Sequence, residues 1–375
     1  MQRSASAPFG SFGETAFACQ FARVRTRPAS PAGWVLGTEF ASGCSRPHEG
    51  DRITPSHAFI SCDIRFPAAE RFSLMGLDQH VTHAIRTSQA SGRVDRGSLD
   101  LPDGQPTYVA LGDYRLATEF FGDSNAPTVV LLHGIPGWRG TWRSVATRLA
   151  DRAYVVVPDL AGFGESSPAP AGLHAADHAD LVAALIRSLG LSRVHLVGFD
   201  FGGPAAVMVC ARAPDLIASL TLAATNVLTD TTIPLPLHLV QPPVLGSVFA
   251  HLFFSRLGLS LMWFAAVARR DRFRFGEYRE ALRFPQGVRS TRRIFQASLR
   301  DLPGLYGPVQ AALGSIRAPC AIVWGDRDPF FPVAIGKRTA ARVPNAVLTV
   351  LKGCGHFLPQ EDPDGVARAV SDLLG

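Results

Sequence analysis

From residue 106 onward, short runs of aliphatic and β-branched residues alternate with segments of helical periodicity, and this alternation leaves few folds open. The runs are TVVLLHG (128–134), AYVVVPDL (153–160), RVHLVGFD (193–200), IASLTLAAT (217–225), CAIVWGD (320–326) and AVLTVLKG (346–353). They are apolar almost throughout, so both faces of each strand must be covered. The helical segments between them, at 141–151, 175–189, 202–212, 333–343 and 365–374, are the crossovers that parallel strands require. Ahead of them, YVAL and YRLATEFFG alternate around Gly112-Asp113 like a hairpin. The expected fold class is α/β: a mostly parallel sheet with helices on both faces.

Residues 227–315 break the pattern. They carry no strand signal and read as several helices punctuated by prolines, a helical insertion after the sixth strand. The insertion divides the α/β core into 106–226 and 316–375, with 75–105 as a lead-in. Residues 1–74, rich in Ser, Pro, Gly and Ala, read as a disordered extension, or as sequence upstream of a true start at Met75.

Charge and cysteines narrow the function classes. The net charge of +6 is matched by the single stretch 269–301, where ten arginines face four acids. That reads as a solvated surface and not as a nucleic-acid-binding fold. The longest apolar run, Leu257 to Ala268, is 12 residues. It is too short to span a bilayer and reads as a buried helix. The six cysteines show neither C-x-x-C nor zinc spacing, and no secretory signal opens the chain, so a reducing, cytoplasmic setting is expected.

The chemistry concentrates at strand ends. In GFDFGG, Asp200 ends a strand between Gly198 and Gly202, whose small size permits a sharp strand-to-helix turn. WGDRDPFFP offers Asp326 and Asp328, of which Asp328 reaches further from the turn, and GCGHFLPQEDPD offers His356. Nucleophile, acid and histidine thus fall in the order expected at the carboxyl edge of such a sheet. HGIPG supplies an early loop, so the backbone N–H groups of Ile135 and Phe201 are the candidate oxyanion hole. GFGESS (162–167) lacks the third glycine of a dinucleotide fingerprint and is a turn. HAADH (174–178) lacks a third metal ligand.

With HGIPG, PDLAGFGES, GFDFGG, WGDRDPFFP and GHFLPQEDP in hand, residues 106–375 resemble the α/β-hydrolase fold. The resemblance is specifically to its aspartate-nucleophile branch of epoxide hydrolases and haloalkane dehalogenases. It implies that 227–315 is a cap over the active site and that neither metal nor organic cofactor is needed. Haloalkane dehalogenases usually place Trp after the nucleophile and often Asn in the HG-x-P loop, where this chain has Phe201 and Ile135. Fluoroacetate dehalogenases carry Arg where Phe201 stands. Epoxide hydrolases use two cap tyrosines, for which the candidates here are Tyr278 and Tyr306.

An ionised aspartate suits displacement at a tetrahedral carbon bearing a polarised C–O or C–halogen bond. The product is an ester on Asp200, which water activated by His356, held by Asp328, then cleaves. A leaving oxygen would take a hydrogen bond from Tyr278 or Tyr306, and a leaving halide would take one from Trp263. The aromatics Phe249, Phe253, Phe254, Trp263, Phe264, Phe273 and Phe275 point to an apolar pocket and a small apolar substrate. The expectation is epoxide hydrolysis, with dehalogenation next. Ester or C–C bond hydrolysis and a catalytically silent binding protein are the remaining alternatives.

Overall fold

A computed structural model describes residues 106–169, 173–231, 238–239, 245–253, 255–273 and 275–375. The expectations for 1–74 and 75–105 lie outside the described residues.

Eight strands form one sheet: β1 (Thr107–Leu111), β2 (Tyr114–Phe121), β3 (Thr128–Leu132), β4 (Tyr154–Pro158), β5 (Val194–Phe199), β6 (Ile217–Ala223), β7 (Cys320–Gly325) and β8 (Ala346–Leu351). Their order is β1-β2-β4-β3-β5-β6-β7-β8. The first two strands form the expected antiparallel hairpin, with Gly112 at φ +59 in its turn. β2 pairs antiparallel with β4, and every later pairing is parallel. All six residues of β5 and of β7 are buried, which explains their continuous apolar text.

Helices α1 (Arg143–Leu149), α2 (Ala175–Ser188) and α3 (Gly202–Arg212) cross over between the early strands. Between β6 and β7 come α4 (Leu245–Phe253), α5 (Arg256–Ala266), α6 (Phe275–Ala281), α7 (Pro285–Arg300) and α8 (Leu302–Ala312). The chain closes with α9 (Val333–Ala340), α10 (Leu358–Glu361) and α11 (Pro363–Ser371). Two clusters fill the two sides of the sheet. One is built on Leu196, Val207 and Ile322, the other on Val197, Trp142 and Val323. The side-chain alternation of β5 (Leu196 one way, Val197 the other) divides them. Cys210 and Cys320 are buried as small hydrophobes, and burial pushes both thiols up to about 12.

One expectation is corrected. The run at 257–268 is only half buried: Leu259, Trp263 and Ala266 face inward, whereas Leu257, Leu261 and Phe264 are exposed. The inward face packs with Phe199 and Phe357, and the outward stripe is exposed. The Arg270 guanidinium lies 3.7 Å over the Phe264 ring.

Candidate active site

The site is assembled where β3, β5, β7 and β8 end together. Asp200 follows β5 with φ +49, a left-handed conformation that non-glycine residues adopt at the expense of strain. Its surroundings hold it there. Its N–H donates to the Ala223 carbonyl at 3.1 Å. Its own carbonyl accepts from Gly203 N–H at 3.1 Å and from the Thr225 hydroxyl at 2.5 Å. Gly198 is required because a Cβ there would stand 2.5 Å from the Gly202 carbonyl oxygen. Gly134 is required because its Cβ would stand 2.5 Å from that of Asp200. These two glycines let the HGIPG loop and α3 close on the carboxylate.

The two carboxylate oxygens face different partners. Oδ1 accepts the Ile135 N–H at 2.7 Å. Oδ2 lies 3.5 Å from His356 Nε2. On the other side of the imidazole, Nδ1 lies 2.9 Å from Asp328 Oδ2. The second oxygen of Asp328 accepts the N–H groups of Phe330 (2.8 Å) and Phe331 (2.9 Å), so that carboxylate is locked in place. Asp326 turns away and accepts the Gly353 N–H at 2.7 Å. Phe201 opens α3, and its ring meets His178 edge-on at 5.3 Å.

His356 is 3% exposed and ringed by Phe199, Phe330, Phe331 and Phe357, with centroids 5.0 to 5.4 Å away. Such burial alone would lower its pKa. The Asp328 charge, the hydrogen bonds to Asp200 and Asp328 and the Asp200 charge outweigh it and push the imidazole up to about 10. The folded state therefore binds a proton that the unfolded chain releases above its ordinary 6.5. The stabilisation is complete below that value and declines as pH rises toward about 10. Urea midpoints should accordingly fall between pH 6.5 and 9, and His356→Gln should flatten that limb. An unchanged slope would show that His356 is not held as the imidazolium.

The loop behind the site is equally constrained. Leu160 N–H donates to His133 Nε2 at 3.0 Å, so Nδ1 carries the proton and donates to the Gly134 carbonyl at 2.8 Å. Burial keeps this histidine neutral, with its pKa lowered to about 4. Arg139 is 4% exposed and bridges Glu119, Asp159 and Glu165. Its N–H also binds Asp159 at 2.6 Å, which ties the loop to the end of β4.

Glu361 is the support that motif reading missed. It is fully buried, and its carboxylate accepts four backbone N–H groups. Two, from Gly355 (2.9 Å) and Phe357 (3.1 Å), flank His356. Two more, from Ala268 (2.9 Å) and Arg269 (2.8 Å), follow α5. His356 N–H itself donates to the Ala266 carbonyl at 3.1 Å. An acid three residues after the apolar pair Phe357-Leu358 was the available signal.

The leaving-group candidates separate. Tyr306, in α8, is partly exposed, but its hydroxyl end is enclosed and hydrogen-bonds Ser298 of α7. Burial first, and the Asp200 charge second, push the phenol well above its usual range. Trp263 is fully buried in the cluster shared with Phe199, Phe273 and Phe357. Tyr278 falls in α6, but its side chain lies outside the described residues. A cavity of about 210 Å3 opens between Phe163, His174 and His178 on one side and Ser290, Arg293 and Ile294 of α7 on the other. His178 separates it from Phe201, so its lining is more mixed than an all-aromatic pocket.

The model of the alpha/beta hydrolase family matches residues 129–369, which contain the ends of β3, β5, β7 and β8 and all three charged residues of the site. The chain belongs to this family. Among its relatives, haloalkane dehalogenase 2 of Mycobacterium tuberculosis is 28% identical over 268 residues, 68% of this chain and 91% of that protein. A 2-hydroxy-6-oxononadienedioate/2-hydroxy-6-oxononatrienedioate hydrolase of Cupriavidus pinatubonensis is 26% identical over 260 residues, 67% and 88% respectively. The solved structure of an epoxide hydrolase without ligand superposes with a TM-score of 0.60 at 22% identity, covering 72% of this chain and 97% of that one. The hydrolase fold and family are thus shared with enzymes of several chemistries, and only the site can distinguish among them.

Proposed function

We propose that this hydrolase opens an apolar epoxide through a covalent ester on Asp200. The observation that carries the reading is the Asp200 carboxylate, with Oδ1 on the Ile135 N–H at 2.7 Å and Oδ2 3.5 Å from His356 Nε2, and Tyr306 is the candidate donor to the leaving oxygen. Oδ2 attacks a ring carbon and the C–O bond breaks. The leaving oxygen takes a proton delivered through Tyr306, and Oδ1 stays on the Ile135 N–H. Esterification removes the Asp200 charge that helped hold the proton on His356. The imidazolium therefore yields that proton to the phenolate left on Tyr306 and is itself left neutral, ready to act as the base.

Water then attacks the ester carbonyl carbon as neutral His356 takes its proton. The negative charge gathers on Oδ1, where the Ile135 N–H already donates and the Phe201 N–H is the expected second donor. Collapse expels the ester oxygen, which takes the proton of the new carboxyl group, so the diol leaves and the carboxylate is restored. The four phenylalanines around His356 suit an apolar substrate. Phe201 and Ile135 bring no side-chain donor for a halide. The dehalogenase reading keeps one argument, its named relative at 28% identity.

A panel of epoxides and haloalkanes assayed for diol and halide tests the assignment. Tyr306→Phe is expected to lower kcat on epoxides by ~10-fold or more, because a donor to the leaving oxygen is lost. Halide release without diol formation, or a Tyr306→Phe protein with full epoxide turnover, would move the assignment to dehalogenation.

A further inference from the structure

Two features remain outside the chemistry: the apolar run of α5 and the arginines beside it. In α5, Leu259, Trp263 and Ala266 recur at i, i+4 and i+7 and are buried. Leu257, Leu261 and Phe264 repeat the same spacing two positions earlier, on the opposite face of the helix. Those three are 70%, 61% and 47% exposed. The preceding helix exposes apolar side chains too, Val248 at 58% and Leu252 at 65%, one turn apart. Large apolar side chains grouped in this way mark a surface that meets another apolar phase.

The charge around the stripe has one sign. Residues 231–270 contain no Asp or Glu, and Asp271 is the first carboxylate after Asp230. Arg256 begins α5 beside Leu257, Arg270 covers the Phe264 ring, and Arg292 of α7 meets His251 of α4 at 3.0 Å. A second copy docked face to face would bring these arginines against their own equivalents, with Asp271 the carboxylate nearest to α5 in sequence to pair them. The complementary surface must be both apolar and negatively charged.

We propose that the outer face of α4 and α5 docks peripherally on an anionic lipid surface. The leucines, Val248 and Phe264 enter the headgroup–acyl boundary, and Arg256, Arg270 and Arg292 meet the lipid phosphates and carboxylates. The helices lie in the plane of the interface. Neither spans it, and no helix among the described residues is long and apolar enough to cross a membrane.

Co-sedimentation of the full chain with vesicles tests this. Vesicles of phosphatidylcholine and phosphatidylserine, mixed at roughly 70:30, should pellet the protein at low salt. Pure phosphatidylcholine or high salt should weaken binding by about 10-fold. The double variants Leu257→Ser with Leu261→Ser, and Arg256→Glu with Arg270→Glu, should each reduce the bound fraction by about 10-fold without lowering Tm. Should the leucine pair compromise folding, Leu257→Ser alone, at the most exposed of these positions, serves as the replacement. No binding to anionic vesicles, or binding indifferent to both the apolar and the arginine variants, overturns the proposal. A dimer in sedimentation equilibrium that Leu257→Ser dissociates, with no vesicle binding, assigns the face to a second copy instead.

Discussion

Challenged with its substrate, the His356→Gln protein should stall as a covalent ester on Asp200, gaining one equivalent of adduct visible by intact-protein mass spectrometry. Turnover should fall by roughly 10²–10⁴-fold, the usual contribution of a positioned general base. The asymmetry between the two steps is the reason. Attack uses Oδ2 of a carboxylate that is already ionised, whereas hydrolysis needs Nε2, which lies 3.5 Å from that oxygen. Glutamine also leaves a polar group opposite Asp328, whose charge would otherwise be buried without a partner.

The adduct mass reports the chemistry directly. An epoxide adds its whole mass, and a haloalkane adds its mass less the hydrogen halide. Proteolysis should map either one to the peptide containing Asp200, and adding Asp200→Ala should abolish it. A panel of both substrate classes that leaves the His356→Gln protein unmodified would sink the ester mechanism. The silent binder, and ester or C–C bond hydrolysis, would then stand ahead of it.

Replacing Glu361 by alanine should produce the largest stability loss in the molecule for one side chain outside the apolar core. It orphans the N–H groups of Ala268, Arg269, Gly355 and Phe357 together, in a place with no solvent exposure. Each unsatisfied buried donor costs about 1–3 kcal/mol, and water entering the space left by the carboxylate will recover part of it. A net loss of about 3–5 kcal/mol follows, which corresponds to a Tm lower by about 6–15 °C for a domain of this size. Glu361→Gln keeps one acceptor oxygen but turns an NH2 against the donors, so it should fall between the two. A Tm change under about 1 °C in the alanine variant would show that these hydrogen bonds are not required.

The parts of this architecture that were legible share one property: a local physical signal. Buried parallel strands announce themselves as unbroken apolar runs, and the turn at Asp200 is marked by glycines that no side chain could replace. Asp328 could be preferred to Asp326 because turn geometry is local; Asp328 Oδ2 lies 2.9 Å from His356 Nδ1, whereas Asp326 accepts the Gly353 N–H. What remained hidden depends on partners far along the chain. Arg139 reads as one more surface arginine until Glu119 and Asp159 close on it. Glu361 serves backbone N–H groups, which leave no trace in residue identity. The run at 257–268 misled because hydrophobicity states what a helix could bury and not how many of its faces find a neighbour.

The root of the helical insertion and the histidine loop are a single mechanical piece. The Ala266 carbonyl receives the His356 N–H, and one carboxylate oxygen of Glu361 gathers Ala268, Arg269 and Gly355. Gly355 must be glycine because any Cβ would collide with that same Ala266 carbonyl. For protein engineering this defines where the molecule can be recombined. An insertion grafted from a relative would have to present one carbonyl and two N–H groups at the positions of 266, 268 and 269. Otherwise the imidazole would lose its register with Asp200 before any substrate contact had been altered. Chimeras that carry residues 266–269 and 355–361 from the same parent should retain chemistry that mixed junctions lose, whichever parent supplies the helices between.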